Sequence, residues 1–143
     1  MAAAPILFLQ QIRLRLGSSE LLEGAELSLL PGEKVALVGR NGSGKSTLLK
    51  IAAGEIEPDG GRRFLQPGAT IRYLPQEPDL SAYPNVLAYV EAGMQAGDDH
   101  YRATSLLNAL GLTGAEEPQR LSGGEARRAA LARVLAPEPD IIL

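Results

Sequence analysis

Apolar and polar residues alternate from Ile6 to Leu16, with Arg13 and Arg15 on one side, the two-residue period of a strand. After a turn at Gly17-Ser18-Ser19 the pattern resumes from Glu20 to Leu30. There Ala25, Leu27 and Leu29 share one face and Glu26 and Ser28 the other, and Gly24 marks a bulge or break. Pro31-Gly32 is a second turn, and Lys34–Val38 reads as a short buried strand. A helix is expected from Lys45 to Ala53, closed by Gly54. Pro58-Asp59-Gly60-Gly61 reads as a hairpin-type turn, and the turn at Pro67-Gly68 separates two short strands, Arg62–Leu65 and Thr70–Leu74.

Beyond Pro75 the period changes to that of helices. One spans Asn85–Met94 with Val86, Tyr89 and Val90 on a face; the next spans His100–Leu110, capped by Gly97-Asp98-Asp99 and ended by Gly111. A third runs from Gly123 to Leu135 with Ser122 as N-cap and Glu125 placed for a capping box. Pro137 and Pro139 stop it, and Asp140–Leu143 begins a strand. Tyr73 and Phe8 are assigned to the core. The order predicts an α/β core with a helical insert, divided as residues 1–78, 79–121 and 122–143.

Composition narrows the partners. The 143-residue chain is one domain or part of one, and its formal charge of −3 argues against a general polyanion binder. It has no cysteine, hence no disulfide and no thiolate metal site. The opening Met1-Ala2-Ala3-Ala4-Pro5 lacks the basic start of a signal peptide, and no apolar run approaches the roughly 20 residues that span a bilayer. A soluble, cytoplasmic protein without direct membrane insertion is the expectation.

The chemistry concentrates at Gly39-Arg40-Asn41-Gly42-Ser43-Gly44-Lys45-Ser46. This G-x-x-x-x-G-K-[ST] pattern follows the apolar run Val35–Val38 and opens a helix. A Gly-rich turn there aims backbone N–H groups and the positive end of a helix at one point, and polyphosphate is the natural occupant. Lys45 brings a mobile charge to the β- and γ-phosphates, Ser46 a hydroxyl to Mg²⁺, and Thr47 a donor to the α-phosphate region. Leu121-Ser122-Gly123-Gly124-Glu125 forms a second anion-receptive helix start. Arg127, Arg128 and Arg133 add positive charge to that helix, read as a solvated face with partial pairing to Glu125. His100, the only histidine, reads as a solvated or capping residue.

Together these motifs resemble ATP-binding-cassette (ABC) nucleotide-binding domains over about Leu7–Leu143. The phosphate loop resembles their Walker A, Pro75-Gln76-Glu77 their Q-loop, Leu121–Glu125 their signature, and Asp140-Ile141-Ile142-Leu143 the first half of their Walker B strand. The resemblance implies a P-loop NTPase fold of ABC type: a mixed sheet core, an N-terminal antiparallel part and a helical subdomain. It also implies ATP and Mg²⁺ as ligands and a head-to-tail second cassette, in the same polypeptide or a homodimer. Carried over, Lys45 and Gln76 are catalytic, Ser46 and Gln76 reach the metal, and Ser122, Gly123, Gly124 and Glu125 act on nucleotide held by the partner.

Two departures stand out. Where the family places an adenine-stacking aromatic, this chain has Leu16, which packs on a purine without π stacking. The Asp-Glu that the family places after Walker B lies beyond Leu143, so the domain is expected to be incomplete and inactive alone. Tyr73-Leu74-Pro75-Gln76-Glu77-Pro78 and Glu125–Leu135 resemble the ABC-F branch, soluble proteins with two cassettes, many acting on the ribosome as ATP-gated translation factors. The short interval between Gln76 and Ser122 leaves room for a minimal arm only, and the long coiled coil of DNA-repair cassettes cannot fit between Gly39 and Ser122, so no DNA partner is expected. The alternatives are the ATP-binding subunit of a membrane transporter, paired with a transmembrane subunit, and a nucleotide-gated interaction module with little turnover.

Overall fold

The computed structural model describes residues 3–40 and 43–143. The chain forms two compact units, one from its start to Ile71 with Leu143, the other Arg72–Ile142. In the first, β1 (Leu7–Leu16) lies between β2 (Ser19–Leu29) and β3 (Gly60–Leu65), antiparallel to both. Helix α1 (Lys45–Ala53) packs on β1.

The central strand keeps one apolar face by a change of parity. Leu7 and Leu9 are buried, and then Ile12 and Leu14, because an extra residue is accommodated near Gln11. Gln11 takes a φ of 52°, and the register slips against both neighbours there. Without the slip, the second half of β1 would turn its leucines to water. Both flanking strands answer with glycine. A Cβ on Gly61, itself at φ +97°, would lie 2.4 Å from the Gln11 carbonyl oxygen and 2.7 Å from that of Gln10. Gly24 is the residue skipped between Glu23 and Ala25 on β2, so the bulge expected from sequence is present. Beyond it Ala25, Leu27 and Leu29 are half-buried, and Glu26 and Ser28 are exposed, as their alternation predicts.

Helix α1 is tied down at both ends. Gly44 adopts a left-handed φ of 95° at its start, where a Cβ would meet Leu22 Cδ2 at 3.1 Å and Leu21 Cγ at 3.3 Å. Gly54 closes it at φ 84°. Arg63 Nε of β3 donates to the Ala52 carbonyl at 2.9 Å, placing a cation at the negative helix end.

A two-stranded sheet pairs β4 (Ile71–Arg72) with β5 (Ile141–Ile142), and the second unit runs from Arg72 of the one to Ile142 of the other. Between them lie α2 (Val86–Glu91), α3 (Tyr101–Ala109) and α4 (Gly123–Leu135), with a 3₁₀ turn at Pro118–Arg120. Val86, Tyr89 and Val90 are buried as their spacing predicts, packing with Leu107, Leu112 and an alanine face on α4, Ala129, Ala130 and Ala132. Small residues there let the helices approach closely. Because α2 has only six residues, its free N–H groups need outside partners. Asn85 Oδ1 accepts from Ala88, the Glu116 carbonyl from Val86, and the Gly114 carbonyl from Leu87.

Three expectations are corrected. Lys34–Val38 is neither strand nor buried; Val38 is 88% exposed. Its apolar run specifies a preference for burial, and no described strand runs beside it to supply a ladder. Phe8 is not core: it stacks on Phe64 on the outer face of the sheet, with ring centres 4.9 Å apart. Gly60 and Gly61 belong to β3 and not to a hairpin turn, because Gly61 must face the β1 bulge.

Replacing Gly61 with alanine is expected to cost about 2 kcal/mol or more of unfolding free energy, since a backbone clash adds to the unfavourable φ. Gly68→Ala, at φ +83° in open space, should cost about 1 kcal/mol. Urea titrations giving equal losses would remove the bulge from the account.

Candidate nucleotide site

The phosphate loop lies in the first unit, and the geometry around its ends is tight. Gly39 sits where a Cβ would meet Ser43 Oγ at 2.9 Å and Lys45 Cδ at 3.4 Å. The Lys45 ammonium donates to the Gly39 carbonyl, and the Ser43 N–H donates to the Arg40 carbonyl at 3.1 Å. Asn41 and Gly42, assigned to the same loop, lie outside the described residues. Lys45 thus folds back onto Gly39, and Ser43 onto Arg40. No acid occupies the first turn of α1, and no side chain caps it. The donor set is the Lys45 ammonium, the Ser43 and Ser46 hydroxyls, and the helix start, with Thr47 half-buried behind them. That chemistry suits a polyphosphate and opposes nothing anionic. It also suits Mg²⁺ only as a guest of the phosphates, because no group of three or more His, Cys, Asp or Glu is placed for a metal among the described residues.

Leu16 ends β1 with 58% of its surface exposed and pairs with Ser19. Two residues back, Leu14 pairs with Leu22, the same leucine that meets Gly44. The exposed apolar end of β1 and the head of α1 therefore share one corner of this unit.

Gln76 and the Ser122 segment lie in the second unit. Gln76 is exposed in a bend. Ser122 caps α4 as its sequence predicts. Its Oγ accepts from the Glu125 N–H at 3.1 Å, and Glu125 Oε1 accepts from the Ser122 N–H at 3.0 Å. Ser122, Gly123 and Gly124 are exposed, and no atom comes within 4 Å of a Cβ placed on Gly123. A cleft of about 260 Å³ runs where residues 78–81 meet 118–126, with Ser122 and Gly123 on its wall.

The arginines of α4 are less free than a solvated stripe. Arg133 stands over Tyr89 (4.6 Å) and Tyr83 (5.5 Å), donates to the Tyr83 hydroxyl at 3.1 Å, and presses against Gly93. Arg128 Nη1 donates to the Leu110 carbonyl at 2.8 Å, at the end of α3. Arg127 is exposed. His100 precedes α3 and pairs with Glu91 at 2.8 Å, a surface role.

Glu116 was not foreseen. It gathers the Thr113 and Gly114 N–H groups at 2.8 and 2.7 Å and so shapes the loop that caps α2. The signal was present as a carboxylate just past Thr113-Gly114, a turn-forming pair.

Three carboxylates titrate below their ordinary values. Glu125 is lowered by the Ser122 N–H and hydroxyl, and Asp79 by Ser81. For Glu116 burial pushes upward, but the N–H groups of Thr113 and Gly114 outweigh it. Each binds its proton more weakly in the folded state than in the unfolded chain. Their contribution to stability is therefore complete above the ordinary carboxylate values and is lost as pH falls through the depressed ones. Melting followed by circular dichroism should show stability of the helical unit declining from about pH 5 downward. Glu125→Gln should flatten part of that decline, and an unchanged pH profile would contradict the assignment.

Comparison with known proteins places this architecture. Residues 22–143 match the family model described as ABC transporter. The chain is 47% identical over 143 residues to ATP-binding protein Uup of Caulobacter vibrioides, covering 99% of this chain and 23% of that protein. It is 38% identical over 145 residues to the aliphatic sulfonates import ATP-binding protein SsuB of Granulibacter bethesdensis, covering 100% and 60%. It is 34% identical over 175 residues to the energy-dependent translational throttle protein EttA of Mycobacterium tuberculosis, covering 94% and 31%. The chain thus spans less than two thirds of each relative. A solved ATP binding subunit of an ABC transporter shares the fold at TM-score 0.84 and 21% identity, over 96% of this chain and 64% of that one. With the family model matching most of the sequence, the chain belongs to the ABC transporter family, as a nucleotide-binding domain resembling the ABC-F branch.

Proposed function

We propose that the chain binds ATP with Mg²⁺ through Gly39–Thr47 and forms part of an ABC-type ATPase, residues 1–78 supplying the phosphate-loop core, 79–121 the helical part, and 122–143 the signature helix and Walker B start. The observation that carries this reading is the Lys45 ammonium on the Gly39 carbonyl, at the head of a helix whose first turn holds no acid. An ammonium resting on a neutral carbonyl exchanges that partner for a phosphate oxygen with a gain in charge complementarity. Ser43, the α1 N–H groups and Thr47 then orient the phosphate chain, and Leu16 lies against the base. Ser46 would offer its hydroxyl to Mg²⁺, which when bound would supply charge neutralisation for the phosphates.

In this reading Ser122, Gly123 and Gly124 present their exposed helix start to nucleotide on a second cassette, Glu125 fixes that start, and Gln76 acts near the metal and attacking water. Turnover is a property of the paired cassettes. The identity to Uup and EttA supports a soluble factor of ABC-F type, and the name of EttA points to translation, with the ribosome as the partner in this reading. The likeness to SsuB supports a second reading, the ATP-binding subunit of a transporter working with a transmembrane partner. Among the described residues no helix is long and apolar enough to cross a membrane.

Titration with a fluorescent ATP analogue and Mg²⁺ should give saturable binding that weakens at least about tenfold in Lys45→Ala, the loss of one charge-assisted contact. Binding that ignores the substitution would remove the phosphate loop as the site.

A further inference from the structure

The ladder between β1 and β3 ends at Arg13 and Gly60, yet β1 continues to Leu16. One residue continues it. The Asp59 N–H donates to the Arg13 carbonyl at 2.8 Å, and Asp59 Oδ2 accepts from the Arg15 N–H at 2.8 Å. A side chain thus stands where the next backbone carbonyl of an edge strand would stand. Asp59 is exposed, so water competes for both bonds, and a charged acceptor holds an N–H there better than a neutral one.

Asp59 fixes the residue immediately before Leu16. On the other side of β1, Leu14 pairs with Leu22, whose methyl lies 3.1 Å from where Gly44 would carry a Cβ. The phosphate helix and the exposed end of β1 are joined through this contact at one end of α1. At the other end, the segment leaving α1 at Gly54 returns to β1 through Asp59. The distance from the phosphate loop to Leu16 is therefore set by two ties, one apolar and one of hydrogen bonds.

We infer that Asp59 is a positioning residue for the nucleotide base: it holds Leu16 at the height where an apolar side chain covers the purine. This rests on the nucleotide reading above and adds a specificity role to a residue outside the phosphate loop. An aromatic ring offers a broad face that tolerates misplacement. A leucine offers a few methyl contacts whose worth falls steeply with a fraction of an ångström, so the end of β1 has to be held.

The test compares MgATP with inorganic tripolyphosphate on the 143-residue chain by isothermal titration, with folding checked by circular dichroism. Asp59→Ala should weaken MgATP about fivefold, the scale of one lost hydrogen bond, and change tripolyphosphate less than twofold. Asp59→Asn, which still offers a carbonyl oxygen to Arg15, should recover most of the loss. In a Leu16→Gly background Asp59→Ala should have no further effect on MgATP. Equal losses for both ligands, or an undiminished effect without Leu16, would make Asp59 a purely structural tie and overturn the inference. An unchanged MgATP affinity in Asp59→Ala would overturn it as well. If the unmutated chain binds MgATP independently of Lys45, the nucleotide reading itself fails, a result separate from any behaviour of Asp59.

Discussion

The first unit depends on β1 keeping its apolar side chains on one face across an inserted residue. Gln11 absorbs the insertion, and Gly61 makes room for the two carbonyls that the bulge turns toward it. Only then do Leu7, Leu9, Ile12 and Leu14 present a continuous surface to α1, and only then does the far end of β1 reach the head of that helix. A phosphate loop needs a rigid floor, because its backbone donors act by being held in place before the ligand arrives. In the proposed nucleotide role that floor would be Leu21 and Leu22, which lie against Gly44 and are carried by the strand that pairs with β1.

The second unit is organised around a different problem, the termini of short helices. Asn85 and the backbone of residues 114–116 cap α2, Glu116 shapes that loop, and Ser122 with Glu125 caps α4. Arg133 binds α4 to Tyr89 of α2 and to the flanking Tyr83 and Gly93. Polar capping fixes where α4 begins, and an alanine face with one clasped arginine fixes how it sits. The exposed Ser122-Gly123-Gly124 start is therefore presented from a well-anchored helix.

Much of this was legible in the sequence because it is local. The capping box of Ser122 and Glu125, the closing Gly54, and the face of Val86, Tyr89 and Val90 each depend on residues a few positions apart. The failures are non-local. Lys34–Val38 carries the apolar run of a buried strand, but a strand is completed by its neighbour, and sequence period says nothing of who that is. Phe8 alternates with its neighbours as a core residue could, yet the face it takes follows from the register around Gln11. Arg133 reads as surface charge until Tyr83 and Tyr89 are folded against it. Asp59 looked like a turn residue, because its partners lie across the sheet at Arg13 and Arg15.

The central claim is that the Gly39–Thr47 loop, floored by β2, is the seat of a nucleotide's phosphates. Amide chemical shifts of the ¹⁵N-labelled chain test it most directly. On addition of MgATP, the account predicts the largest changes at Gly44, Lys45, Ser46 and Thr47, reproduced in large part by tripolyphosphate, with Leu16 and Arg15 moving only when the base is present. Changes confined to other residues, or none at saturating nucleotide, would contradict it.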